Sequence, residues 1–386
     1  MNFTNPRAQF DFWLFALATF VLFTTNSMLA LLSVVLKKQG LSADLIGIVL
    51  AAPAPAILVT MLLAGPIITR FGALQIARTG ALIMLMSYLS FELTIDSFSG
   101  AIASRICHGV GYALFMPAAM IYADGKLSGP HKLYYFGIYA SMFPLPNVLG
   151  PPLADIYLRD FGIDRFFLFT ALPALLGATL VFTVTATHKA AVARAALIDY
   201  VHLLQRRSLW MPYGGIFVVG MFYGFVVSFM ALLLESRHIP VSYFFVTFTA
   251  CLFGSRFLLV RYIQQLPRTV IFSAGLGLLS CAYLVLALDP APAAAILAGL
   301  LFGLGYSVAY PTLSVWVTQQ FSPDQQGMPL TLYNAIFTLG IFLLPLFGGY
   351  VIAWLGAPTM VLAMALLGAV AIALTWFALR VGAPTH

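Results

Sequence analysis

Arg105, His108 and Tyr112 stand at helical spacing inside the apolar stretch Arg105-Ile-Cys-His108-Gly109-Val-Gly111-Tyr112-Ala-Leu-Phe-Met-Pro117. On a helical wheel Arg105, His108, Gly109, Tyr112 and Met116 fall within about 100° of arc, so one face is basic and polar and the rest apolar. A charge inside an apolar span is costly unless it is paired or hydrated, which makes it a candidate functional group. Two kinds of chemistry are open to Arg105. It can line a cavity, holding a negative group or tuning a proton carrier, or it can pair with carbonyls or an acid and pin two helices together. His108, with an ordinary pKa of about 6.5, suits proton exchange; it equally suits a plain interhelical hydrogen bond.

Arg256 is a second interior arginine, with Thr249 and Phe253 on roughly the same face. Two interior arginines would favour an anionic or zwitterionic substrate, although Arg256 is near enough to a span end to snorkel toward water. Of twelve acidic residues, Glu92, Asp155 and Glu235 lie within spans and away from the inner ends. With His108 they are the proton-coupling candidates, and each also fits a place on the outer rim. The middle of the first span offers only neutral groups, Thr24, Thr25, Asn26 and Ser27. Other cavity candidates are Asn147, Ser228, Tyr306, Tyr310, Asn334 and Thr338. Tyr306 shares a helix face with Tyr310, and Asn334 with Thr338; aromatics so spaced also simply pack.

The elements that must position these groups cross a membrane. The chain of 386 residues is 62% hydrophobic and 8% charged, with a mean hydropathy of +0.99. A soluble domain carries about a quarter charged residues. The net charge of +7 is spread over short loops, which fits membrane topology and not a nucleic-acid partner. The cysteines, Cys107, Cys251 and Cys281, have no metal-ligand spacing and read as buried small hydrophobes. No phosphate-binding Gly-x-x-x-x-Gly-Lys-Ser/Thr loop, His-Glu-x-x-His motif or paired catalytic constellation is present. The expectation is a protein that is not an enzyme, with no cofactor and no metal.

Apolar runs predict twelve spans at 12–36, 45–68, 75–95, 99–123, 133–157, 166–187, 211–235, 243–263, 269–288, 293–317, 330–354 and 358–380. The first is too long for a signal peptide and reads as retained. Residues 188–210 form the longest interruption, so the expected domains are an N-terminal six-helix bundle (1–187), a cytoplasmic linker (188–210) and a C-terminal six-helix bundle (211–386). With the N-terminus inside, twelve of the 19 lysines and arginines face the cytoplasm and five face out, so both termini are expected to be cytoplasmic.

The halves also repeat. Gly109, Gly111, Tyr112 and Pro117 recur as Gly303, Gly305, Tyr306 and Pro311 at one offset of 194 residues. Leu149, Pro151 and Gly162 match Leu343, Pro345 and Gly356 at the same offset. Ile76 and Gly80 match Ile271 and Gly275 at 195, and a Ser-x-x-Ala-Leu-Leu pattern begins at Ser27 and again at Ser228. Gly299 and Phe302 stand where the first half has Arg105 and His108. A half-chain repeat points to a transporter built from two halves.

Over essentially its whole length the chain resembles the major facilitator superfamily. Gly65-Pro-Ile-Ile-Thr69-Arg70-Phe-Gly72 is similar to the family's loop between spans two and three, with Thr69 in place of the usual aspartate. Arg105-x-x-His108-Gly109-x-Gly111 resembles the fourth-helix motif of proton-coupled members. Gly150-Pro151 resembles an exporter element whose last two glycines are here Ala154-Asp155. The resemblance implies two bundles of six helices that rock about a midplane site, with Gly65, Arg70, Gly72, Gly150 and Pro151 in gating. It implies export of a small organic solute (drug-, sugar- or metabolite-like) in exchange for protons, from a bacterial inner membrane, by a monomer. Uptake of a small organic anion by symport or uniport is the alternative.

Overall fold

The computed structural model describes residues 6–129, 131–185, 197–258, 266–322 and 325–382. The helices, in order, are α1 (Pro6–Met28), α2 (Leu32–Lys38), α3 (Ala43–Ala51), α4 (Pro53–Phe71), α5 (Ala73–Thr94), α6 (Phe98–Lys126), α7 (Lys132–Ala140), α8 (Gly150–Asp160) and α9 (Phe166–Thr183). After them come α10 (Leu197–Gln205), α11 (Arg207–Ser228), α12 (Met230–Ser236), α13 (Ser242–Leu258), α14 (Arg268–Leu288), α15 (Pro292–Thr318), α16 (Gly327–Leu355) and α17 (Ala357–Gly382). Among the described residues ten helical stretches are long and apolar enough to cross a membrane, and Ser242–Ser255 is a shorter apolar helix. Large apolar side chains such as Leu93, Leu288 and Trp354 are exposed, as expected where lipid replaces water as solvent.

The expected fifth span, 133–157, is not one continuous helix. It breaks after Ala140 into turns and a 3-10 segment, Leu145–Val148, before α8 begins. Pro144, Pro146, Pro151 and Pro152 have no amide hydrogens, so the helical ladder cannot run through them. The second span divides at Ala52 for the same reason: Pro53 and Pro55 cannot donate to the carbonyls of Val49 and Ala51, and the Ala52 amide turns to Val49 O at 3.3 Å. Spans one and seven are interrupted just after Ser27 and at Phe229. The Ser-x-x-Ala-Leu-Leu pattern therefore marks the same break in both halves.

Contacts divide the chain into two compact units, Met1–Gln39 with Val49–Ala195 and Gly40–Ile48 with Ala196–His386. The expected linker falls partly on residues 186–196, which lie outside the described residues; Leu197–Gln205 is helical. The first unit has a core of Phe12, Phe15, Phe23, Met84, Tyr88, Phe115, Tyr122 and Tyr139.

Glycine contacts give the repeat physical form. A Cβ on Gly111 would stand 2.9 Å from the Gly80 carbonyl oxygen and 2.7 Å from the Met84 nitrogen. On Gly305 it would stand 2.7 Å from the Gly275 carbonyl oxygen and 3.0 Å from the Leu279 nitrogen. Backbones come this close only where no side chain intervenes, so α5 packs on α6 as α14 packs on α15. Gly162 and Gly356 match as well, with φ of 73° and 84°.

Candidate functional site

The polar face of α6 is held in place by its glycines. Gly109 lies against α4, where a Cβ would come 2.8 Å from Pro53 Cβ, and Gly111 lies against α5. Arg105 is thereby set beside the proline break of the second span, where its Nη2 donates to the Leu50 carbonyl at 3.2 Å. Its Nη1 is 3.5 Å from His108 Nδ1, and His108 Nε2 is 3.1 Å from the Tyr88 hydroxyl. All three side chains are buried. A guanidinium has only donors, so in this contact Nδ1 accepts and Nε2 carries the ring hydrogen toward Tyr88. Tyr112 continues the face, half-buried, with its ring 5.8 Å from Phe23 and 6.3 Å from His108.

Two members of this chain were not legible as candidates. Leu50 contributes only a backbone atom. Tyr88 looks like an ordinary span-three aromatic, but the Ile76–Gly80 register pairs it with Tyr283 and would have drawn attention to it. In the second half Tyr283 meets Phe302, ring centroids 6.1 Å apart, and its hydroxyl donates to Phe222 O at 2.6 Å. At the position of Arg105, a Cβ on Gly299 would stand 2.7 Å from Phe244 O. There α13 and α15 are in direct backbone contact.

The second unit gathers Tyr306, Tyr310 and Asn334. Tyr310 donates to Asn334 Oδ1 at 2.8 Å, and Asn334 Nδ2 donates to Leu330 O at 2.9 Å. Tyr306 stacks on Tyr223 and on Tyr310, at 5.2 and 5.7 Å between centroids. Thr338 and Ser228 are buried, as is Asn147 in the 3-10 segment, and Asn26 is half-buried. Arg256 lies on α13, but its side chain is outside the described residues.

The three acids find other company. Asp155 pairs with Arg159 one helical turn on, at 2.8 Å. Glu92 accepts the Leu168 amide at 3.3 Å, and Glu235 is exposed. Among the described residues no three His, Cys, Asp or Glu side chains converge as a metal site. Of the cysteines, Cys107 and Cys251 are half-buried and Cys281 is exposed; the expectation of three buried thiols fails because Cys281 lies on an outward face of α14.

The sequence profile of the Major Facilitator Superfamily matches residues 15–328 and 241–386. The chain belongs to that superfamily. The uncharacterized MFS-type transporter YhhS of Escherichia coli (strain K12) is 23% identical over 300 residues, covering 76% of this chain and 71% of its own. A bacterial homolog of the human lysosomal transporter Spinster, in an inward-facing and unoccupied conformation, superposes with a TM-score of 0.80 at 15% identity, covering 98% of each chain. The nucleoside transporter NupG superposes at 0.75 with 13% identity, covering 95% of this chain and 98% of its own. The protein is a multi-pass transporter of the superfamily, not an enzyme.

Several superfamily motif residues do local work. Thr69, where the family has aspartate, donates to Gly65 O at 2.9 Å, and Arg70 is exposed with its guanidinium 5.2 Å from the Phe71 ring. Gly72, at φ 88°, ends α4 and donates to Ile68 O at 2.7 Å. Gly150 and Pro151 are buried at the start of α8, where a Cβ on Gly150 would stand 2.8 Å from Thr24 O.

One network escaped sequence reading. Lys126 pairs with Asp11 at 2.7 Å, each side chain 4% exposed. Lys126 and the Tyr122 hydroxyl both donate to Thr185 O, at 3.0 and 2.8 Å, and the Thr185 hydroxyl donates to Asp11. Arg78 donates to Phe182 O and Val184 O at 3.0 and 2.9 Å. Side chains of α1, α5 and α6 thus hold the backbone that leaves α9. Asp11 and Lys126 sit at the ends of apolar runs, where a lone charge ordinarily signals only topology.

Proposed function

We propose that this transporter exports a small organic solute in exchange for protons, by alternating access of an N-terminal bundle (1–187) and a C-terminal bundle (211–386) joined by residues 188–210. The observation that carries the reading is the buried Arg105–His108–Tyr88 chain, which only one of two otherwise repeated halves contains. In the arrangement above, His108 Nδ1 faces a guanidinium. A proton arriving there sets two cations 3.5 Å apart, and their repulsion is strong where water is scarce. Protonation of His108 and withdrawal of Arg105 are therefore coupled: the site holds either the proton on the ring or the arginine beside it. That exclusion is what an exchanger needs, since the group that leaves His108 becomes available to a solute. Asp155, Glu92 and Glu235 take no part in the exchange step in this reading.

The lysine and arginine bias supports cytoplasmic termini, and the bacterial relatives support an inner-membrane location; we take the working unit to be a monomer. A second reading, uptake of a small organic anion, is favoured by the buried positive charge of Arg105 itself. Reconstitution into liposomes separates the two. Solute-dependent proton release from a preloaded gradient supports exchange. Solute entry along the proton gradient, or flux without proton movement, overturns it in favour of uptake.

A further inference from the structure

We infer that the solute carries a planar unsaturated ring, received by the second unit on a wall made of Tyr223, Tyr306, Tyr310 and Phe337 with the Asn334 amide at its edge. This rests on the transporter reading above and names the substrate class.

The first argument is geometric. Tyr306 is the centre of the wall, stacked within 26° of Tyr223 and 28° of Tyr310, with Phe337 closing on both Tyr306 and Tyr310 at 6.3 and 5.1 Å. Centroid separations of about 4.5–7 Å are those of favourable ring pairs. Another flat ring can extend such a stack by the same forces. All four side chains are half-buried. They come from three helices, α11, α15 and α16, so no single helix face accounts for them.

The second argument concerns which way the wall looks. On α15 the exposed apolar stripe includes Leu297 and Val315, each 46% exposed. Nine residues separate Tyr306 from each of them, about 180° around the helix. Tyr306 therefore keeps its open edge on the side away from the apolar stripe. The polar edge is there too: Tyr310 and Asn334 hydrogen-bond to each other, and the Asn334 amide has capacity beyond the two bonds it makes. A ring with nitrogen or oxygen on its rim matches a stacking surface with one amide beside it.

The third argument comes from the repeat. The scaffold glycines recur in both halves, and so do Tyr306 and Phe337, as Tyr112 and Phe143, but the rest of the wall and its polar edge do not. At the corresponding positions of the first half Tyr310 is Met116, Asn334 is Ala140 and Tyr223 is Leu22. Shared architecture does not require these side chains, since the first unit folds without them.

The test uses the full-length protein in detergent and in liposomes, with benzamide, indole-3-carboxamide and adenine as planar probes and cyclohexanecarboxamide as the saturated control. Intrinsic fluorescence quenching reads binding. At least one planar probe is expected to bind about tenfold tighter than the control, Tyr306→Leu to lose that preference, and Tyr306→Phe to keep it. Equal binding of planar and saturated rings, no binding of any probe, or an unchanged preference in Tyr306→Leu overturns the inference. In parallel, proteoliposomes are offered a mixture of small aromatic and non-aromatic solutes, and their contents are read by mass spectrometry. Accumulation of non-aromatic solutes alone overturns the ring class and leaves transport standing. Accumulation of none overturns the transport reading itself.

Discussion

Tyr88 and His108 touch through a hydroxyl and a ring nitrogen 3.1 Å apart, while their repeats, Tyr283 and Phe302, touch ring against ring. One architectural contact has been given two chemistries. The second version shows what the scaffold tolerates at this place: a phenylalanine, provided the tyrosine hydroxyl finds another partner, as Tyr283 does at Phe222 O.

His108→Phe should therefore fold but leave the buried Tyr88 hydroxyl unsatisfied, at a cost of about 1–3 kcal/mol. The double variant Tyr88→Phe/His108→Phe removes both polar partners and should recover most of that loss. Melting in detergent checks the order of the three proteins. Both variants should lose solute flux driven by a pH gradient; retained gradient-driven flux would show that His108 is a structural hydrogen bonder.

Arg105→Ala should abolish transport while the helical circular-dichroism spectrum is preserved. Arg105→Lys should not rescue it, because one ammonium cannot reach both the Leu50 carbonyl and His108 as the forked guanidinium does. Hydrogen bonds to a charged group are worth about 1.5–3 kcal/mol, roughly ten- to hundredfold in flux if the contact is made in the transport step. Normal flux in either variant would assign Arg105 to helix pinning.

Gly111→Ala and Gly305→Ala should be matched lesions. Each drives a methyl group into the backbone of the neighbouring helix, and overpacking of this kind costs about 1–3 kcal/mol. Gly137→Ala is the control: its added Cβ meets nothing within 4 Å, and alanine in a helix is favoured over glycine by about 0.5–1 kcal/mol. Thermal unfolding of the three variants should place the first two well below the parent and the third at or above it.

Breaking the Asp11–Lys126 pair from one side strands a buried charge, with an expected loss of about 3–5 kcal/mol. Asp11→Leu with Lys126→Met together should cost much less than either alone. A double-mutant cycle on thermal stability measures the coupling. Additive losses would mean that the pair is screened by water despite its burial.

The membrane class, the two-half repeat and the polar face of α6 were legible because each is written in side-chain type and spacing. Glycine pairs that hold helices at backbone contact recur at offsets of 194 and 195 residues, and an arginine in an apolar span is conspicuous. The break of the fifth span was half legible, since Pro144 and Pro146 announce a kink without saying that the helix stops. What could not be read were partners chosen by packing. Tyr88 becomes polar in function only because His108 is opposite it, and Leu50 enters through a carbonyl that every residue possesses. Asp11 and Lys126 find each other across 115 positions, a distance over which sequence carries no pairing signal without a second copy to compare.

The acceptor that Arg105 uses at Leu50 has a consequence for how this protein can change over generations. A side-chain partner can be exchanged for another by a single compensating substitution; a main-chain oxygen cannot. It stands beside the break of the second span at Ala52, and that break depends on Pro53 and Pro55. The charge on one helix and the prolines on another are thus a single inherited character. Lineages that lose the prolines are expected to lose the arginine soon after, and an alignment of descendants would show them arriving and departing together.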